Sequence, residues 1–279
     1  MKRYAVLGHP IGHSLSPLMH NTAFKLLGLD CIYELIDIDP ANLEKEIDKF
    51  KSNEWGGFNV TVPHKEAIIP LLDEIDSEAQ RIGAVNTVVI QNNKMKGYNT
   101  DIIGVKKTLE NYAGKIDDNN CVIIGSGGAA RSVVYVLTHN FKPSMITFIA
   151  LYPEQAFSLA EHFKEKPVWF KVVSTEDKSI ENIIKNSKLI VNASPVGMYP
   201  KVDESPVPDC TWFSRDQVVF DLVYRPLETK LLKDAKSQGA ITIGGLEMFI
   251  QQGASAFKIW TQMDMPIDKI RSELIKELL

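Results

Sequence analysis

Lys65 and Asp101 are residues of types that can exchange a proton with a bound molecule, and polar side chains stand beside both in the sequence. Lys65 closes the run Asn59-Val60-Thr61-Val62-Pro63-His64-Lys65, and Asp101 closes Asn99-Thr100-Asp101. Ser14-Leu15-Ser16-Pro17 and Gly83-Ala84-Val85-Asn86-Thr87 are two further clusters of the same kind. Hydroxyls, amides, one ammonium and one carboxylate suit a small polyhydroxylated acid, and a lysine beside an aspartate can work as a general acid/base pair. Each also has an ordinary role open to it: Ser16 as a helix cap, Asp101 as the N-cap of the next helix, Lys65 as a solvated helical residue.

A second chemical signal lies further along. The apolar run 121–124 is followed at once by Gly125-Ser126-Gly127-Gly128-Ala129-Ala130-Arg131 and a helical pattern. Between strand and helix, such glycines permit a tight turn and a close backbone approach to a pyrophosphate, which then meets the positive end of the helix. The spacing is a G-x-G-G-A-A variant, with Ala130 in the place of the last glycine. At the end of the following strand an acid would receive a ribose 2′-hydroxyl and a base a 2′-phosphate. Ile149-Ala150-Leu151-Tyr152-Pro153-Glu154 offers neither at the strand end, with Glu154 and Arg131 the nearest charges in sequence.

Elements must hold these groups in place. Short apolar runs alternate with helical periods, the mark of an α/β chain with a largely parallel sheet. Strands are expected at 4–7, 31–36, 57–62, 84–90 and 95–98, the last two as a hairpin across Gln91-Asn92-Asn93. Helices are expected from Ser16 to a stop at Gly28, over 43–50, through Leu71 and Leu72, and over 102–112 with a stop at Gly114. Beyond Asp117-Asp118-Asn119-Asn120 the rhythm becomes regular, with strands at 121–124, 145–149, 168–173, 189–192, 218–221 and 241–243. Helices are expected at 129–137, 155–163 and 231–237, and two final ones starting at Leu246 and Ile267.

The composition sets the limits. A length of 279 residues with 44% hydrophobic and 24% charged residues is ample for two folded domains. A net charge of −4 without a basic block gives no electrostatic reason to bind nucleic acid or an anionic membrane, so a small-molecule partner is expected. Cys31, Cys121 and Cys210 are scattered and odd in number, which points to a reducing cytoplasm, and the N-terminal apolar run is too short for a signal peptide. His9, His13, His20 and His64 form no helical H-x-x-x-H pair with a carboxylate, so no metal is expected.

Together with Asn192-Ala193-Ser194-Pro195-Val196-Gly197-Met198, Asp221-Leu222-Val223-Tyr224-Arg225-Pro226 and Gly244-Gly245-Leu246-Glu247-Met248 through Gln252 to Phe257, these segments stand in the order seen in shikimate dehydrogenases. The chain resembles that family over essentially its whole length. The resemblance implies a two-domain α/β fold: an N-terminal substrate domain with a mainly parallel sheet (1–101), a Rossmann-type NADP-binding domain (102–245), and C-terminal helices (246–279) returning to the first domain. It implies reversible NADPH-dependent reduction of 3-dehydroshikimate to shikimate, on the route through chorismate to the aromatic amino acids. Position by position, Lys65 and Asp101 would form the catalytic pair. Ser14, Ser16, Thr61, Asn86, Tyr224 and Gln252 would join them in holding the substrate. Gly125, Ser126, Gly127, Gly128, Ala129, Met198, Leu222 and Gly245 would line the cofactor site. The assembly would be a monomer or a homodimer.

One departure stands out. NADP-using members commonly carry Asn-Arg-Thr at the end of the second strand of the cofactor domain, where this chain has Ala150-Leu151-Tyr152. Without the arginine clamp NAD use stays open, and with it a quinate/shikimate dehydrogenase that uses NAD. A non-catalytic ligand-binding module on the same fold is the distant alternative, against which the presence of Lys65 and Asp101 argues.

Overall fold

The structure, a computed structural model, describes residues 1–51 and 54–279. The chain divides into two compact units, residues 1–104 with 250–279, and residues 105–249.

The first unit is built on six strands, β1 (Lys2–Gly8), β2 (Cys31–Asp37), β3 (Trp55–Val60), β4 (Glu74–Ile75), β5 (Thr87–Gln91) and β6 (Lys94–Tyr98), in the order β2-β1-β3-β5-β6-β4. β1 runs parallel to β2 and β3, whereas β5 is antiparallel to both β3 and β6. This mixture has a consequence for the site: β1, β3 and β6 end at the same edge at which β5 begins. The segments carrying Ser14, Thr61, Asp101 and Asn86 all leave or enter the sheet there. The β5–β6 turn is Asn92-Asn93 with φ +51° and +58°, the two positive values a two-residue type I′ hairpin requires.

The helices of this unit are α1 (Ser16–Leu26), α2 (Leu43–Ile47), α3 (Ser77–Ile82) and α4 (Asp101–Leu109). Ser16 opens α1 ahead of Pro17 and caps nothing through its side chain. Instead, Ser14 Oγ accepts the Ser16 N–H at 3.3 Å. The helix α3 falls outside the sequence reading, although its ends are marked: the Asp76 side chain accepts the Glu78 N–H, and Gly83 closes it at φ +73°. The predicted strand 84–90 begins only at Thr87, because Ala84 to Asn86 carry the chain from α3 to the sheet edge.

In the second unit α5 (Ala113–Ile116) is followed by β7 (Asn120–Ile124), α6 (Gly128–Asn140), β8 (Met145–Ala150), α7 (Pro153–His162), β9 (Trp169–Ser174), α8 (Ile180–Lys185), β10 (Leu189–Asn192), β11 (Val218–Asp221), α9 (Lys230–Ser237) and β12 (Ile241–Ile243). All strands are parallel, in the order β12-β11-β10-β7-β8-β9. β10 and β11 are buried along their whole length, which is why they read as unbroken apolar runs. Gly114 does not stop the preceding helix as expected; a 3-10 turn at Glu110–Tyr112 leads into α5, which contains it. The strand order reverses between β7 and β10, and in open α/β sheets ligands bind outside the carboxyl ends of the strands at such a point.

α10 (Leu246–Thr261) and α11 (Ile267–Leu278) complete the chain, and residues 250–279 pack with the first sheet. One face of that sheet carries Leu7, Phe58, Val60, Val88 and Met95 over Leu43, Ile47 and Phe50. The other carries an aromatic layer of Tyr4, Phe24, Tyr33, Phe257 and Trp260 around His20. His20 is fully buried, and burial pushes it down to about 3, so it serves as a neutral ring.

Because Gly83 both ends α3 and launches the segment that delivers Asn86, its positive φ is a stability determinant. Gly83→Ala is expected to cost about 1 kcal/mol, read as a lower urea midpoint at unchanged denaturant slope.

Candidate active site

The Lys65 ammonium donates to Asp101 Oδ2 at 2.6 Å, and the two side chains are only 13% and 6% exposed. They are 36 residues apart in sequence and meet because both lie at the shared edge of the first sheet. Lys65 sits in the turn after β3, and its carbonyl accepts the Val85 N–H at 2.8 Å, which ties that turn to the Asn86 segment. Asp101 is the first residue of α4, but its carboxylate does not cap the helix. Asn99 Oδ1 accepts the Asp101 N–H, leaving the carboxylate to face Lys65 and Asn86.

Behind the pair runs a chain of donors with one direction. The Tyr33 hydroxyl donates to Asn59 Oδ1 at 2.6 Å, Asn59 Nδ2 to Thr87 Oγ1 at 3.0 Å, and the Thr87 hydroxyl to Asn86 Oδ1 at 3.0 Å. Asn86 Nδ2 then donates to Asp101 Oδ1 at 2.8 Å. Each donor fixes the amide orientation of the next residue, since an amide carbonyl accepts and its NH₂ only donates. The Asn86 carbonyl oxygen is further held by the Thr100 N–H at 2.7 Å. Both carboxylate oxygens of Asp101 therefore meet donors. Gln252, on α10, comes to this cluster through its Oε1, 3.4 Å from Asn86 Nδ2. The sequence clusters contain Asn59, Thr87 and Thr100, but nothing local to Tyr33 marks it as their terminus.

Of the remaining first-unit candidates, Ser14 and Ser16 face one another at the start of α1, their hydroxyls 3.2 Å apart. Thr61 follows β3 directly, its N–H bonded to the Leu7 carbonyl. His64 is buried and donates from Nε2 to the Ile38 carbonyl, while His9 pairs with Asp37 at 2.6 Å. Both rings are thereby engaged away from Lys65.

In the second unit the glycine segment leaves β7 and enters α6 at Gly128, with Gly127 as an N-cap that offers no side chain to the first turn of the helix. Gly125 has φ +104°, and a Cβ there would stand 3.0 Å from the Ala193 carbonyl oxygen of the loop after β10. This close approach of backbone at the switch point, ahead of the first turn of α6, could receive a dinucleotide pyrophosphate. Gly125, Ser126, Gly127, Gly128 and Ala129, the residues expected to hold it, lie together in the segment that joins β7 to α6. Met198 lies exposed in the loop after β10, and Leu222 and Tyr224 follow β11, the latter ring stacked on Phe249 at 4.3 Å. Gly245 donates its N–H to the Val223 carbonyl, and any Cβ there would collide with the Leu222 carbonyl. Leu151 and Tyr152, at the end of β8, are exposed.

A buried knot joins two of these loops. Asp221, at the end of β11, accepts from Asn192 Nδ2 at 2.9 Å, from the Val223 N–H at 3.0 Å and from the Thr229 hydroxyl at 2.6 Å. Asn192 in turn donates to the Val196 carbonyl and accepts from Ser194. The knot fixes the loops that present Met198 and Leu222. Burial outweighs these donors and pushes the Asp221 carboxyl up to about 6.

Comparison with known proteins gives a consistent answer. The family profile described as the shikimate dehydrogenase substrate binding domain matches residues 6–88, and that of the shikimate 5'-dehydrogenase C-terminal domain matches residues 245–275. Shikimate dehydrogenase (NADP(+)) of Methanocaldococcus jannaschii is 44% identical over 277 residues, covering 99% of this chain and 97% of that protein. A crystal structure of shikimate dehydrogenase in complex with NADP+ superposes with a TM-score of 0.88 at 42% identity, covering 100% of this chain and 96% of the other. The Thermus thermophilus enzyme in complex with NADP(H) and shikimate gives a TM-score of 0.84 at 36% identity, with both chains fully covered.

The Asp221 knot yields a pH dependence of defined sign. A carboxyl whose native pKa of about 6 lies above its ordinary value of 3.8 binds its proton more tightly when folded, so this group lowers stability as pH rises from about 4 to 6. Asp221→Asn cannot titrate and turns an amide toward the converging donors. Its stability deficit relative to wild type is expected to be larger at pH 5 than at pH 7.5 by about 1 kcal/mol, measured by urea denaturation at both pH values.

Proposed function

The chain belongs to the shikimate dehydrogenase family, and on that premise we propose that it catalyses the reversible NADP-dependent reduction of 3-dehydroshikimate to shikimate. The observation that carries the reading is the Lys65–Asp101 pair at the end of a donor chain, in a cluster otherwise made of amides and hydroxyls. Bound NADPH supplies the hydride that reduces the substrate carbonyl.

The side chains supply the proton and the geometry. Lys65, protonated, donates to the carbonyl oxygen as it becomes an alkoxide, and in the reverse direction takes the hydroxyl proton back. Asp101 Oδ2 holds the ammonium in place and accepts from the same substrate hydroxyl. Asn86 and Gln252 bind further hydroxyls, Ser14, Ser16 and Thr61 the carboxylate side, and Tyr224 is the remaining residue assigned to substrate. Substrate orientation of this kind is worth as much as the proton transfer itself, because a small misplacement of the reacting carbon is costly. A largely shielded ammonium at hydrogen-bond distance from a carboxylate, left with a partly open face, favours a catalytic reading over a non-catalytic module.

The Gly125 segment, Met198, Leu222 and Gly245 hold the cofactor. NADP is the cofactor of the relatives, although Leu151 stands where an arginine clamp on the 2′-phosphate is common. The product feeds the route through chorismate to the aromatic amino acids. Among the described residues no helix is long and apolar enough to cross a membrane. The scattered, odd-numbered cysteines favour a cytoplasmic enzyme, and the net charge of −4 favours small-molecule partners over nucleic acid; the assembly is proposed as a monomer or a homodimer.

Lys65→Ala is expected to lower kcat by about 10²–10⁴-fold with a smaller change in the KM for shikimate. Asp101→Asn, which turns a donor toward Lys65 or Asn86, is expected to lose about 100-fold or more in kcat/KM, and retention of both turnover and shikimate affinity would remove the pair from the mechanism. A side-by-side assay of shikimate and quinate with NADP and NAD should give the highest kcat/KM for shikimate with NADP. Leu151→Arg should raise the NADP/NAD ratio of kcat/KM about tenfold, through a new charge-assisted contact.

A further inference from the structure

Trp260 sits on α10 two helical turns beyond Gln252. Its indole Nε1 donates to the Val88 carbonyl of β5 at 3.0 Å. The approach is possible because β3 is bulged at this point: Arg3 pairs with Trp55 and Tyr4 with Gly57, leaving Gly56 as the extra residue. A Cβ on Gly57 would collide with both the Val88 carbonyl oxygen and the indole nitrogen, and one on Gly56 with the Tyr4 ring. Two consecutive glycines thus open a seat for one indole, which is completed by the Tyr4, His20 and Tyr33 rings at 5.0, 5.4 and 6.1 Å.

A second close contact lies next to Gln252 itself. Gly253 faces Met19 of α1, and a Cβ at 253 would collide with the Met19 methyl and sulfur. Helix α10 is therefore pressed onto α1 at Gly253 and hydrogen-bonded to the sheet at Trp260. Between these two fixings the rotation and the axial position of the helix are both set. Gln252 has a long side chain, and the distance from its Oε1 to Asn86 Nδ2 is 3.4 Å, so a small slide or roll of α10 moves its amide away from the cluster.

We infer that Trp260, seated in the Gly56-Gly57 bulge, together with the Gly253–Met19 contact, is a positioning device that sets the reach of Gln252 into the substrate cluster. The inference rests on the proposed role of Gln252 in holding the substrate. It predicts an effect chiefly on substrate binding, because the contacts of Trp260 and Gly253 are with Val88, the aromatic seat and Met19, and not with Lys65, Asp101 or the Gly125 segment.

Steady-state kinetics with shikimate and NADP on five variants test it. Trp260→Phe keeps a ring in the seat and deletes the N–H donor; it should raise the KM for shikimate about five- to tenfold while leaving kcat and the KM for NADP within about twofold. Gln252→Ala should raise the same KM, and adding Trp260→Phe to it should produce no further rise. An equal rise in both backgrounds, or none in the wild type, overturns the inference with the role of Gln252 intact. An unchanged KM in Gln252→Ala alone overturns that role and the inference with it. Gly253→Ala should raise the KM for shikimate as Trp260→Phe does, and Met19→Ala should restore it by making room for the added methyl; a rise that Met19→Ala leaves in place counts against the contact.

Discussion

A buried carboxylate needs a donor on each oxygen, and at Asp101 that requirement reaches back across most of a sheet. The donors that satisfy it come from β2 through Tyr33, from β3 through Asn59, from the start of β5 through Thr87 and Asn86, and from the turn after β3 through Lys65. Only a sheet in which β3 runs one way and β5 the other brings a strand end and a strand start to one edge, so the mixed pairing of the first unit is bound up with the chemistry it hosts. Breaking any link leaves a buried acceptor or donor unmatched, and the cost of that exceeds the modest net value of a single hydrogen bond.

The second unit meets its requirement differently. There backbone approaches backbone closely, and the sequence provides absence of side chain in place of side-chain chemistry: Gly125 against the Ala193 carbonyl and Gly245 against the Leu222 carbonyl. What side chains do at this end of the sheet is hold loops. Asp221 and Asn192 clamp the segments after β10 and β11 to one another, and burial of that carboxyl is tolerated because three donors converge on it.

Local signals made much of this legible beforehand. The strands 189–192, 218–221 and 241–243 could be read to the residue because strands in a sheet covered on both faces are short apolar blocks with polar flanks. The glycine loop and its flanking strand and helix were equally plain. Short elements were not: α3 and α8 hold six residues each, too few for a periodic stripe, and the available signs were the capping Asp76 of α3 and, ahead of α8, Asp177, which accepts the Ser179 N–H. Gly114 illustrates the opposite error, a helix-stopping residue absorbed within a helical turn. Least legible were the groups whose meaning depends on distant partners. Tyr33 and Asn59 are 26 residues apart, and Trp260 meets Val88 across 172, so periodicity has nothing to say about either.

The one-way order of the donors from Tyr33 to Asp101 also decides where protons can travel. Two of the links are side-chain amides, which neither take up nor release a proton near neutral pH and so cannot pass one along. The interior side of the catalytic pair is in this sense an insulator and not a wire. In the mechanism proposed above, each proton that Lys65 gives up or gains is exchanged through its own partly open face, so water and substrate would have to reach it from the same side.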